Sequence, residues 1–112
     1  MFYRTLLFAS IMIFLSLMVG ITQHEAVHQK IYTLYGIDSY VDYGILDART
    51  IGNRTKIVAL AQNNFNDYKE MMKLHVLNEI VAYNLIMIEL LLSIIIVLLV
   101  IVIGIFWESK HL

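Results

Sequence analysis

The chain has 112 residues, of which 60% are hydrophobic, and its mean hydropathy is +0.74, more apolar than a soluble domain of that size. A net charge of −1 with no basic run argues against a nucleic-acid surface. The absence of cysteine excludes disulfides, thiolate metal sites and thiol catalysis, so a metal ion would have to be held by His, Asp or Glu.

In chain order, the first apolar stretch runs from Phe2 to Ile21, broken only by Arg4, Thr5, Ser10 and Ser16. As a helix it is about 30 Å long, enough to cross a bilayer, and the Arg4 stem can reach back to the headgroups beside Tyr3. Read as a secretory signal the segment lacks a good cleavage site, because Met18 stands third before a cut after Gly20. An uncleaved transmembrane helix over residues 2–22 is therefore expected.

Helical character continues through "HEAVHQKIYTLY" to Gly36, which reads as a helix stop. Imperfect alternation in "IDSYVDYGIL" and the apolar "KIVALA" predict a β-hairpin pairing Ser39–Leu46 with Thr55–Ala61 across a Gly-Asn turn. From Asn66 the pattern is helical again, capped by Asn66 or Asp67. It runs into a second transmembrane helix over residues 85–107, interrupted only by Glu89, Ser93 and Gly104 and closed by an interfacial Trp107.

The expected fold is an α-helical membrane protein of one domain, residues 1–112. Two transmembrane helices extend beyond the bilayer as an antiparallel pair, and a small β-hairpin lies in the extramembrane segment 23–84. Both termini then share one side. The side of the loop is open, since Lys30, Lys69 and Lys73 stand against Arg4 and Lys110. Glu89 lies inside the second span, where an ionisable group either stays near the interface or meets a partner helix. Tyr32, Tyr35, Tyr40 and Tyr43 read as an interfacial belt or a small core.

The chemistry concentrates in "HEAVH", residues 24–28. On a helix, His24 and His28 are one turn apart on one face, so both imidazoles can reach one ion, for which zinc is the natural guest. Glu25 beside them is placed to take a proton from an attacking water and pass it to the leaving group. A catalytic zinc needs a third protein ligand. Glu79, in "HVLNEIVAYN", lies about a turn and a half before the second span. Two antiparallel helices leaving the bilayer side by side bring it level with His24 and His28. His75 and Tyr83 share its face at i−4 and i+4. Both are candidates to stabilise an oxyanion, and His75 could instead support a ligand from behind or ligate itself, which would close the site.

"HEAVH" followed downstream by "NEIVAY" resembles the gluzincin pattern of zinc metallopeptidases, in which a later helix carries Asn-Glu. "HEAVHQKIYTLYGIDSYVDYGI" also resembles the active-site segment of site-2-protease-like membrane zincins. The resemblance implies a membrane zincin-like metallopeptidase holding Zn2+ on His24 and His28 with Glu25 as general base. The gluzincin match adds Glu79 as third ligand. Its expected partners are the lipid bilayer and a peptide or membrane-protein substrate, with no nucleic acid. A homo-oligomer or a larger membrane complex stays open, and so does a different class of function, a small non-enzymatic accessory subunit with a structural zinc. Substituting Glu25 by Gln discriminates the two.

Overall fold

The computed structural model describes residues 2–112, so Met1, at the head of the "MFYR" segment, lies outside them. The described chain forms α1 (Phe2–Leu34), β1 (Ser39–Tyr43), β2 (Ala48–Gly52), α2 (Arg54–Asn63) and α3 (Phe65–His111). The chain divides into two compact units, one made of residues 1–19 and 84–112 and the other of residues 20–83.

The first unit holds two apolar helical segments. Their side chains, Leu7, Phe8, Ile94, Leu98 and Leu99 among them, are exposed. α1 and α3 are each long and apolar enough to cross a membrane. Glu89 lies in this unit, where its Oε1 is buried without a hydrogen-bond partner among the described residues.

The second unit has the small core, built on Ile31, Ile37 and Met71, with Tyr32, Tyr35, Ile57, Leu60 and Tyr68 packed against it. Gly36 ends α1 as the spacing predicts. Its φ is +70°, the left-handed region that glycine enters without a side-chain penalty. The Ile37 N–H donates to Tyr32 O at 2.9 Å and the Gly36 N–H to Thr33 O at 3.0 Å, the paired bonds of a Schellman stop. The turn delivers Ile37 directly into the core, 2% exposed.

A two-stranded antiparallel sheet follows, but its second strand is not the expected one. Ser39 pairs with Gly52 and Tyr43 with Ala48, and the turn closes through the Gly44 N–H on Asp47 O at 2.8 Å. Residues 55–61, expected as a strand, lie in α2. The reason is the cap: Asn53 Oδ1 accepts from the Lys56 N–H at 3.2 Å, so the Gly-Asn pair ends a strand and starts a helix. The helix also puts Ile57 and Leu60 on one face, three residues apart and toward the core. Asp38 braces this junction. Its carbonyl accepts from the Asn53 N–H at 2.8 Å, and its carboxylate accepts from Asn53 Nδ2 at 3.1 Å and meets Lys56 Nζ at 2.5 Å.

α3 also begins earlier than expected, and Asn64 serves as its cap in place of Asn66 or Asp67. Asn64 Oδ1 accepts from the Asp67 N–H at 3.2 Å, and Asn64 Nδ2 donates to Asp67 Oδ2 at 2.7 Å. The same residue closes α2 through its N–H on Leu60 O. One residue thus closes α2 with its backbone and opens α3 with its side chain. Within the unit, α1 and α3 run antiparallel, with His28 beside His75 and the His24 carbonyl accepting from Asn78 Nδ2 at 3.1 Å.

Candidate metal centre

Three side chains from two helices converge in the second unit. His28 Nε2 is 2.9 Å from Glu79 Oε1 and 3.2 Å from His24 Nε2, and His24 Nε2 is 3.3 Å from Glu79 Oε1. Sequence supplies the histidine pair through the four-residue spacing. The antiparallel packing of α3 on α1 supplies Glu79, as expected. His28 is 8% exposed, and the open side of the group is that of Glu79 and His24.

The donor set fits a metal ion. A carboxylate oxygen carries only lone pairs, and an imidazole nitrogen without its proton does the same. Such atoms crowd to hydrogen-bond distance only with a proton or a cation among them. A tetrahedral ion bound at about 2.0–2.1 Å separates its ligands by about 3.3–3.4 Å. The triangle of 2.9, 3.2 and 3.3 Å is within a few tenths of an ångström of one face of that tetrahedron. His24, His28 and Glu79 therefore form a group able to hold a metal ion. Two nitrogens and one carboxylate oxygen suit zinc and its first-row neighbours better than calcium or magnesium, which prefer oxygen alone.

Glu25 lies against this group. It is 5% exposed, with Oε1 3.8 Å from His24 Nε2 and Oε2 accepting from Thr50 Oγ1 at 2.6 Å. Thr50 stands also 3.0 Å from the Glu25 carbonyl. β2 thus holds the carboxyl side chain from outside the helix that carries it. Neither Thr50 nor Asn78 stands out in the sequence as a site residue. Thr50 falls in a stretch that reads as turn, and the only signal for Asn78 is its place next to Glu79.

His75 meets the group from behind. Its Nδ1 is 2.7 Å from His28 Nδ1, and its ring packs against Tyr32 with centroids 4.5 Å apart. Burial holds the His75 imidazole below its usual pKa, the neighbouring His28 adds to the effect, and Glu79 opposes it. Burial, followed by Tyr68, pushes the Tyr32 hydroxyl up. His75 is not one of the three converging ligands. Tyr83 is 68% exposed, one helical turn from Glu79, and no contact among the described residues joins it to the group. Comparison with family models, curated proteins and solved structures finds no match.

Proposed function

We propose that the protein is a membrane-anchored zinc metallopeptidase that hydrolyses peptide bonds at the membrane surface. The observation that carries this reading is the Glu25 carboxylate beside the three-atom group of His24, His28 and Glu79. Three protein ligands with an open vertex and a neighbouring carboxylate are the requirements of metal-assisted hydrolysis. When bound, the metal supplies Lewis acidity toward the scissile carbonyl and makes water a competent nucleophile near neutral pH.

The chain's own residues do the rest. Glu25 accepts the proton of the attacking water as its oxygen bonds to the carbonyl carbon, then returns that proton to the departing amine nitrogen as the C–N bond breaks. Thr50, donating to Oε2, leaves Oε1 turned toward the metal-binding group for this exchange. Of the two candidate oxyanion donors, His75 stands behind His28 with its Nε2 buried, which leaves the exposed Tyr83 for the role once substrate is bound. The backbone edges of β1 and β2 offer an extended peptide a partner without demanding a sequence.

In this reading residues 2–22 and 85–107 cross the bilayer, both termini lie on one side, and the site follows directly on the first span. Elemental analysis of detergent-purified protein tests the metal. About one zinc per chain is expected, lost or weakened in Glu79→Ala and His28→Ala. Glu25→Gln is expected to keep the zinc and lose turnover of a peptide substrate. Wild-type protein that stays folded and binds no supplied zinc refutes the reading. A zinc protein that Glu25→Gln leaves unchanged in every assay is a structural subunit instead.

A further inference from the structure

His28 is the one ligand with both ring nitrogens engaged: Nε2 faces Glu79 and His24, and Nδ1 faces His75 Nδ1 at 2.7 Å. The two rings are inclined by 25° with centroids 4.9 Å apart. That separation is close to the N···N distance plus the radius of each ring. The imidazoles therefore meet edge to edge and nearly coplanar, the geometry in which an N–H points along its acceptor's lone pair. One proton must lie between the two nitrogens, because two lone pairs at 2.7 Å repel and two N–H groups collide.

Where that proton resides decides whether His28 can ligate. With the proton on His75, His28 must carry its own hydrogen on Nε2, which then points at Glu79 and blocks the ligand position. With the proton on His28 Nδ1, the Nε2 lone pair is directed at the site. Ligating histidines generally donate their second N–H to an oxygen, most often a carboxylate or a carbonyl. Here the acceptor is a second imidazole, half-buried on α3 and backed by the Tyr32 ring of α1.

We propose that His75 is the positioning residue of this centre: it accepts the His28 Nδ1–H, fixes the His28 tautomer with Nε2 toward the metal, and does not itself ligate. The inference rests on the metal reading above. It also assigns the His75 tautomer, with Nδ1 bare and the proton on Nε2, the nitrogen that has no hydrogen-bond partner among the described residues.

Chelator competition with zinc on the full chain in detergent gives the first test. His75→Leu removes the acceptor and is expected to weaken zinc binding by about 10–100-fold while one zinc still binds at saturation. His75→Asn, whose amide oxygen can accept, is expected to lie nearer wild type. The second test needs no variant. In 15N-histidine spectra of the zinc-loaded wild type, His28 should show a protonated Nδ1 and a metal-shifted Nε2, and His75 a bare Nδ1 and a protonated Nε2. Wild-type affinity in His75→Leu overturns the proposal, as does a metal-shifted His75 nitrogen in the spectra. In both cases wild-type zinc binding survives, so the metal reading stands. A wild type that binds no zinc overturns both.

Discussion

Thr50 decides which oxygen of Glu25 is free. With its hydroxyl on Oε2 at 2.6 Å, a buried carboxylate gains a donor that its own helix cannot offer, and Oε1 stays beside His24. Thr50→Val keeps the shape and removes the hydroxyl. We expect it to preserve zinc content and to lower peptide turnover by about one to two powers of ten, the range associated with residues that orient a metal site's machinery. Parallel elemental analysis and turnover assays check this. Asp38 acts on folding instead. Hydrogen bonds from Lys56 first, then from Asn53, hold its carboxyl at about 2 against the ordinary 3.8. A carboxyl whose folded pKa is lowered stabilises the fold fully above its unfolded value and loses that contribution as pH falls through the folded one. The Asp38 contribution should therefore disappear between pH 3.8 and about 2. Asp38→Asn should flatten that part of the acid unfolding curve followed by circular dichroism. The effect should shrink at high salt, since the pair is exposed.

Among the elements, the helix stops matter most, because they aim α2 and α3 at the core beside the candidate metal-binding group. Gly36 at φ +70° is open to a Cβ sterically, so the cost of Gly36→Ala is conformational, about 1–2 kcal/mol. Met71 is fully buried in the three-residue core, and Met71→Ala should cost about 2–5 kcal/mol. Thermal unfolding in detergent checks both. At Gly52 an added Cβ would meet the Tyr32 ring at 2.7 Å. Because Tyr32 backs His75, Gly52→Ala should disturb zinc affinity as well as stability.

For the molecule as a whole, the chain divides into two units of different character. Glu89 belongs to the unit of apolar helices and the metal group to the other. Glu89→Gln should therefore leave zinc content at the wild-type value, which elemental analysis reads directly. Membrane anchoring predicts that the protein stays with the membrane fraction at alkaline pH, and that cysteines placed at residues 2 and 112 are labelled from the same side. Much of the fold was legible in the chain itself. Two long apolar runs without proline are helices that expose hydrocarbon, Gly36 ends the first, and the four-residue histidine spacing puts both rings on one face. Those features depend on local sterics and on a period set by the backbone. The second strand at Ala48–Gly52, the helix at Arg54–Asn63 and the Asn64 cap escaped because a six-residue apolar run fits strand or helix alike. Here Asn53 and the contacts of Ile57 and Leu60 with the core chose the helix. The meetings of Thr50 with Glu25 and of His75 with His28 join residues 25 and 47 positions apart. No local period encodes such distances; only the packing of β2 and α3 on α1 brings those atoms together.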